Sequence, residues 1–241
     1  MSELIFLDTE ATGNEPSKDR LCQVCYKTSP NPLLELGEGG DVVQMRSSYF
    51  KPPIPISVKA MSITHITNKM VENAEAFSQS EMKRELESLL KNGVLVAHNA
   101  LFDIAMLKAE GLEVPRFIDT LRVTRYLDPD NKIPEHNIQY LRYFLELEVP
   151  GTAHDAKGDV NVLEALFKRL YTKLPDIEKM IEISSRPTLF KNFIFGKYKG
   201  KPIAEVQKTD RRYMEWLLNT MLASEQDTDE DWIYTLKTYL R

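Results

Sequence analysis

Two carboxylates near the N-terminus, Asp8 and Glu10, are the residues of this sequence best suited to chemistry. They follow the apolar run 4–7 and precede a turn at Gly13, a pattern typical of the end of a buried strand. Side chains two positions apart on a strand point to the same side, roughly 6.6 Å apart at about 3.3 Å per residue. Such carboxylates repel each other unless a cation lies between them, and hard oxygen ligands favour Mg²⁺ or Mn²⁺. The alternative is an acidic strand end without a metal.

Two further acids, Asp103 and Asp159, occupy comparable positions later in the chain. Asp103 falls in the first turn of a predicted helix that follows the buried strand Val94–Ala97, and Asp159 lies near the start of a long helix predicted over 155–172. Strand ends and helix starts can meet at one edge of a sheet. Four carboxylates gathered there would hold two divalent cations about 3.5–4 Å apart, which stabilises the attacking and leaving oxygens in phosphoryl displacement.

His154 stands five residues before Asp159, at the mouth of that helix. From there it can lean toward the metals without ligating them. An imidazole with an unperturbed pKa of about 6.5 can take a proton from water near neutral pH, so we predict His154 as the general base. His136 lies in a loop rich in proline and acidic residues, and we predict a surface position for it.

The elements that must position these residues predict a mixed α/β sheet with helices packed against it. The first strand is followed by two more, over 21–27 and 42–50, and short turn-rich connections indicate an antiparallel meander. The meander ends at Pro52 and Pro53, because proline cannot donate to a sheet ladder. Strands and helices alternate from there, and the helix over 155–172 carries an apolar stripe along its length.

Composition limits the class of protein. The chain has 241 residues, of which 42% are apolar and 28% charged, and no apolar run approaches the roughly 20 residues that span a membrane. We expect a cytoplasmic protein without a membrane partner. Cys22 and Cys25 lie on one predicted strand, where residues three apart face opposite ways, so we expect two buried, reduced thiols.

Charge is distributed unevenly along the chain. The net charge of −5 argues at first against nucleic acid as a partner. Residues 186–216, however, contain eight basic and three acidic side chains, so this region carries +5 and the remainder −10. Basic residues alternate with aromatic ones over 193–203, which suits single-stranded nucleic acid through phosphate attraction and base stacking. The alternative is a small aromatic core that the lysines merely solvate.

Three segments, in order, resemble the three motifs of the DnaQ-like 3′ to 5′ exonucleases of the DEDDh type. They are Phe6-Leu7-Asp8-Thr9-Glu10-Ala11-Thr12-Gly13, His98-Asn99-Ala100-Leu101-Phe102-Asp103 and His154-Asp155-Ala156-Lys157-Gly158-Asp159-Val160. The resemblance implies a ribonuclease H-like fold up to about Tyr171. It also implies two bound Mg²⁺ or Mn²⁺ ions, a water activated by His154 and a nucleoside 5′-monophosphate product. The implied metal ligands are Asp8, Glu10, Asp103 and Asp159.

The same resemblance places further residues at the substrate. Thr9 and Thr12 in the first motif would contact the nucleotide. Asn99 and Phe102 in the second would position the 3′ nucleotide, with Phe102 stacking on a base; a core position is the alternative for Phe102. His65 belongs to a segment similar to one beside the substrate groove of the family, and an ordinary surface histidine is the alternative.

The run Phe195-Gly196-Lys197-Tyr198-Lys199-Gly200 resembles the C-terminal module of exodeoxyribonuclease X-type enzymes, which favours DNA over RNA. We predict an exonuclease domain over 1–174, a connecting helix over 175–188 and a small α+β C-terminal module over 189–241. The predicted activity is metal-dependent removal of nucleotides from DNA 3′ ends, in repair or end trimming. An RNA or oligoribonucleotide exonuclease and a non-catalytic nucleic-acid-binding module are the alternatives.

Overall fold

The architecture was obtained from a computed structural model, which describes residues 3–29, 45–149, 156–224 and 229–241. The body contains a five-stranded mixed sheet with the strand order β3-β2-β1-β4-β5. The strands are β1 (Leu4–Ala11), β2 (Leu21–Ser29), β3 (Met45–Tyr49), β4 (Val94–Ala97) and β5 (Phe117–Asp119). Strands β1 to β3 form the predicted antiparallel meander, and β4 and β5 run parallel to β1. Residues 42–44 of the strand predicted over 42–50 lie outside the described residues.

Helices connect and flank the strands. They are α1 (Val58–Thr64), α2 (Asn68–Val71), α3 (Glu81–Asn92), α4 (Ala100–Ala109), α5 (Thr120–Leu127), α6 (Ile138–Phe144), α7 (Ala156–Tyr171), α8 (Ile177–Ser184), α9 (Ile203–Thr209), α10 (Arg211–Ala223) and α11 (Glu230–Leu240). Short 3₁₀ helices cover Phe77–Gln79 and Gly196–Tyr198. The sequence did not predict α2, because four residues are too few to display a helical period. It also did not predict α9, which follows a loop of alternating basic and aromatic residues that hides its period.

Strand β1 is the centre of the body because its alternate side chains enter two separate cores. Leu4 and Phe6 pack with Val160 and Phe167 of α7, and the rings of Phe6 and Phe167 meet edge to face at 5.4 Å. Ile5 and Leu7 enter the core on the opposite face; that core includes Leu86 and Leu90 of α3 and Met106 and Leu107 of α4. The sheet is therefore covered by helices on both faces.

The cysteines behave as predicted. Cys22 and Cys25 are both fully buried on β2 and form no disulfide. Their positions differ in parity, so their side chains enter different clusters: Cys22 packs with Ile56 and Ile66, and Cys25 lies in the core that α7 covers.

The C-terminal module has a core of its own. Its buried residues are Phe190, Phe193, Ile203, Val206, Met214, Leu217, Trp232 and Leu236. Trp232 is 1% exposed and stacks on Phe190 with ring centroids 4.6 Å apart. Residues 193–203, where basic and aromatic residues alternate, form a closed loop: Phe193 N donates to Lys201 O at 2.9 Å, and Asn192 and Pro202 form a single β-bridge. Most of the module's aromatic residues are therefore core, as the alternative interpretation expected.

Buried charges fix this module to the body. Arg122 of α5, with a side chain 4% exposed, donates from Nε to Asp231 Oδ1 of α11 at 3.2 Å. Arg125 also pairs with Asp231, and the main-chain N–H of Thr188 donates to the same carboxylate at 2.9 Å. Removing one member of a buried ion pair costs about 3–5 kcal/mol, so this contact holds α11 against α5. Helix α8, predicted to lead out of the body, places Met180 in the core under α7.

No helix in the described part of the chain is long and apolar enough to cross a membrane.

Candidate active site

The carboxyl ends of the three parallel strands meet at one edge of the sheet. The ladder between β1 and β4 ends at the pair Phe6 and Val96, so Asp8 to Glu10 project beyond the end of β4. The residues that follow β4 are His98 and Asn99, and β5 ends at Asp119. Ligands bind in the crevice outside the carboxyl ends of strands in open α/β sheets. The fold therefore gathers the first two sequence motifs in one place.

Thr9 connects the first motif with the second. Its main-chain N–H and its hydroxyl both donate to Asp103 Oδ1, at 3.1 and 2.7 Å. The alternation of β1 explains this contact, because Thr9 shares the strand face of Ile5 and Leu7, against which α4 packs. Asp103 is 4% exposed, and burial raises its pKa to about 7 in spite of the hydrogen bonds from Thr9.

Asp8 is the electrostatic centre of the site. Burial raises its pKa well above the ordinary value, and the negative charges of Asp103, Glu10 and Asp159 raise it further, in that order. In the described part of the chain, neither Asp8 nor Glu10 forms an ion pair with lysine or arginine. The four predicted carboxylates are thus close enough to repel one another. This is the arrangement that a cation would stabilise.

Glu10 of β1 and Asp159, in the first turn of α7, form one part of the site. Burial and the charge of Asp159 raise the pKa of Glu10 to about 7. Gln139 of α6 donates from Nε2 to Asp159 Oδ1, while its own Oε1 is buried without a hydrogen-bond partner. No sequence signal points to Gln139, since a polar residue on a short amphipathic helix is ordinary.

Asn99 adopts a left-handed backbone conformation at the edge of the site. It begins α4 with φ 62° and ψ 47°, a region that asparagine tolerates better than most residues. Its main-chain N–H donates to Asp119 Oδ1 at 3.0 Å, and the same carboxylate oxygen accepts from Leu121 N to cap α5. Asp119 therefore caps α5, and it also fixes the turn that brings α4 to β1. The exposed Asn99 side chain is free to face a substrate.

His98 has a structural role. Burial lowers its pKa to about 4, so the ring is neutral at pH 7. Its Nδ1 lies 2.9 Å from Thr120 Oγ1, and its Nε2 donates to the carbonyl of His136 at 2.7 Å. The surface position predicted for His136 is wrong: its side chain is 7% exposed, because the loop that precedes α6 folds over the end of β4.

The remaining predicted substrate residues are placed differently from one another. Thr12 is 1% exposed, and its hydroxyl donates to Asp19 Oδ1 at 2.8 Å. This hydrogen bond fixes the turn after β1. The Thr9 hydroxyl is likewise engaged inside the protein. His65 is exposed at the end of α1, with φ 59°. Phe102, in the first turn of α4, is half-buried against the core that α3 and α4 cover. Substrate contacts by these residues remain predictions.

The donor set fits a hard cation. The four acids offer carboxylate oxygens, the ligands that Mg²⁺ and Mn²⁺ prefer. Among the residues that the structure describes, no three Asp, Glu, His or Cys side chains form a ready-made metal cluster. Asp103 accepts a hydrogen bond from Thr9, and Asp159 accepts one from Gln139. His154, the predicted general base, lies outside the described residues.

The raised pKa values predict how stability depends on pH. Asp103 and Glu10 have folded-state pKa values of about 7, against ordinary values of 3.8 and 4.5, so the folded protein binds these protons more tightly than the unfolded chain. Their contribution to stability is therefore lost as pH rises toward 7. We expect the increase in melting temperature that Mg²⁺ or Mn²⁺ gives over EDTA to grow between pH 5 and pH 8. A metal-independent melting temperature at pH 8 would contradict the carboxylate site.

Thr9→Val tests the support that the strand gives to Asp103. Valine keeps the shape and the main-chain donor but removes the hydroxyl that donates at 2.7 Å. Loss of a partner that orients a metal ligand typically weakens metal binding by about 10- to 100-fold. Calorimetric titration with Mn²⁺ measures this effect. Thr209→Val, which removes a hydroxyl that donates to Glu205 O in α9, is the matched control and should leave the affinity unchanged.

Comparison with known proteins agrees with this fold. Residues 5–167 match the family described as Exonuclease, and residues 193–220 match the family described as Exodeoxyribonuclease X-like C-terminal. The chain belongs to the exonuclease family, and its second unit is of the exodeoxyribonuclease X type. The predicted family, the predicted fold and the prediction of a hydrolytic enzyme are confirmed.

Individual relatives share both units or the fold. Exodeoxyribonuclease 10 of Escherichia coli K12 is 31% identical over 208 residues, which cover 83% of this chain and 87% of that protein. Exonuclease X in complex with 5′ overhanging duplex DNA superposes with a TM-score of 0.59 at 25% identity, over 76% of this chain and 99% of that one. The zinc-bound form of an E. coli ExoI–ssDNA complex gives a TM-score of 0.62 at 20% identity, over 74% of this chain and 42% of that one, which shows the fold alone.

Proposed function

We propose that this protein is a metal-dependent 3′ to 5′ exodeoxyribonuclease that releases nucleoside 5′-monophosphates from DNA 3′ ends, in repair or end trimming. The observation that carries the proposal is the group of four acids around the end of β1. There the negative charges of Asp103, Glu10 and Asp159 raise the pKa of Asp8. A protein keeps such repulsion at a site where a cation is to bind. The exodeoxyribonuclease name of the E. coli relative supports DNA as the substrate class.

We assign the metal-binding role to Asp8, Glu10, Asp103 and Asp159. Two Mg²⁺ or Mn²⁺ ions bound there would polarise the scissile phosphate and neutralise charge on the attacking and leaving oxygens. Thr9 and Gln139 orient two of these carboxylates by donating to them. The zinc ion in the ExoI complex supports metal dependence in proteins of this fold.

His154 supplies the general base in this proposal. An imidazole near its ordinary pKa accepts a proton from the attacking water at neutral pH. His98 cannot take this role, because its ring is buried, neutral and bonded to the carbonyl of His136. Asn99 and Phe102, at the start of α4, would contact the terminal nucleotide from the side opposite α7.

The test is a time course on single-stranded DNA and RNA of one sequence, each labelled at its 5′ end. With Mg²⁺ we expect a ladder that shortens from the 3′ end of the DNA, and with EDTA we expect no cleavage. Equal or faster shortening of the RNA would replace the proposal with an RNA exonuclease, since a site that excludes RNA must detect the 2′-hydroxyl. No cleavage of either strand would indicate a binding module.

A further inference from the structure

The C-terminal module presents an exposed surface that the proposed chemistry does not use. This Trp216 surface consists of Lys197, Lys199, Arg212, Tyr213 and Trp216. The indole of Trp216 is 58% exposed, whereas Trp232 of the same module is 1% exposed. Both tryptophans of the chain lie in this module, and of the two only Trp216 presents its ring to solvent.

The surface is anchored to the module's core through aromatic rings. Tyr213 lies 6.0 Å from buried Phe193 and 5.7 Å from Trp216, measured between ring centroids. The loop at Gly196 closes over Tyr213: Gly196 has φ +69°, and a Cβ there would stand 2.7 Å from the tyrosine hydroxyl. Only glycine permits both the conformation and the approach. Trp216 is therefore held on a fixed support.

Basic side chains lie beside Tyr213 and on the helix face that carries Trp216. Lys197 Nζ lies 4.6 Å from the centroid of Tyr213 while it pairs with Asp210 at 2.8 Å. Arg212 precedes Trp216 by four residues on α10, which places both on one helix face. In the described part of the chain, the exposed side chains of Arg212 and Lys199 form no ion pair, unlike Arg211, which pairs with Glu215. Two cations are thus left for a ligand.

The neighbourhood favours a nucleic-acid strand over a protein. The exposed residues nearest to Trp216 along α10 are polar, namely Glu215, Asn219 and Thr220. A protein interface would surround such an anchor with apolar residues that exclude water. An aromatic platform beside unpaired cations is the arrangement that binds single strands. Residues 186–216 carry +5, whereas residues 1–185 carry −7 and residues 217–241 carry −3, so a polyanion is attracted to this stretch and not to the body or to the end of the module.

We propose that the Trp216 surface is a second nucleic-acid site, which holds the single-stranded part of the substrate by base stacking on Trp216 and phosphate contacts with Lys199 and Arg212. The choice of ligand rests on the proposed function, because its substrate is a strand with a free 3′ end. The site adds affinity for strands long enough to occupy it and leaves the chemical step to the body.

Tryptophan fluorescence of the full chain tests the proposal. In EDTA, (dT)20 should quench the emission of the wild-type protein, and quenching should weaken with salt. Because Trp216→Ala and Trp216→Phe remove the reporter indole, their affinities are measured by fluorescence anisotropy of 5′-labelled (dT)20. We expect Trp216→Ala to bind about tenfold more weakly than the wild type, with Trp216→Phe intermediate because it keeps a ring. Tyr234→Ala removes a 43% exposed aromatic residue of α11 and is the matched control, with wild-type binding expected.

Kinetics separate this site from the active site. With Mg²⁺, Trp216→Ala should raise KM for a 20-nucleotide strand about tenfold and leave kcat, and the turnover of a trinucleotide, unchanged. Wild-type binding and KM in this variant would overturn the proposal, as would an equal loss on both substrate lengths. Binding of (dT)20 that depends on Trp216 in a protein that hydrolyses no DNA would support the surface while refuting the proposed exonuclease.

Discussion

Replacement of Asp103 by asparagine should reduce the rate of DNA hydrolysis by about 10³-fold or more. The change removes one charge from the proposed metal site, and such a site supplies several kcal/mol of transition-state stabilisation, at about 1.4 kcal/mol per tenfold in rate. The fold should survive, because the asparagine carbonyl can still accept from the Thr9 N–H and hydroxyl. Single-turnover rates on 5′-labelled single-stranded DNA, together with thermal melting, measure the two effects.

The same variant should become more stable than the wild type in EDTA at pH 8. Asp103 is buried with a raised pKa, so removing its charge relieves both desolvation and repulsion of Asp8. Asp130→Asn is the matched control: Asp130 is 68% exposed beside Lys132, and its loss should leave rate and stability almost unchanged. Normal turnover by Asp103→Asn would remove this residue from the proposed metal site.

Replacement of His154 by alanine should lower kcat by about 10² to 10⁴-fold, the usual contribution of a positioned general base. Metal binding should persist, since the four carboxylates are unchanged. At saturating metal, the acidic limb of the pH–rate profile should also become shallower, because the deprotonation of His154 no longer contributes to it and only the carboxylates do. Manganese titration and rates between pH 5.5 and 9 provide the measurements.

His65→Ala is the informative comparison for this variant. His65 is an exposed residue at the end of α1 and is predicted to contact the substrate, so its loss should raise KM and preserve the shape of the pH–rate profile. An unchanged profile in His154→Ala would exclude the imidazole as the base, and the water would then have to be activated without this side chain.

The sequence by itself determined the position of each predicted metal ligand along the chain. Asp8 and Glu10 end β1, Asp103 lies in the first turn of α4, and Asp159 lies in the first turn of α7. These placements follow from local hydrophobic periodicity, which identifies strands and helices without any knowledge of their partners. Helix α5 is encoded locally as well, since its apolar period and its Asp119 cap are both local signals.

The sequence did not predict the short helix α9 or the burial of a polar residue, His136. Helix α9 has seven residues and follows a loop that alternates basic and aromatic side chains, so its period is hidden. His136 stands in a polar loop, and nothing local indicates that this loop covers His98. Composition predicts exposure for such a histidine, whereas the packing of this loop against His98 buries its side chain.

Only the tertiary structure decided which residues support the site. The bonds from Thr9 to Asp103 and from Gln139 to Asp159 join residues 94 and 20 positions apart. The ion pair between Arg122 and Asp231 spans 109 positions and fixes the C-terminal module to the body. The tertiary structure also shows that Trp216 is exposed whereas Trp232 belongs to the core. These contacts depend on how elements pack in space, and a sequence pattern records the face of each element but not the partner that the face meets.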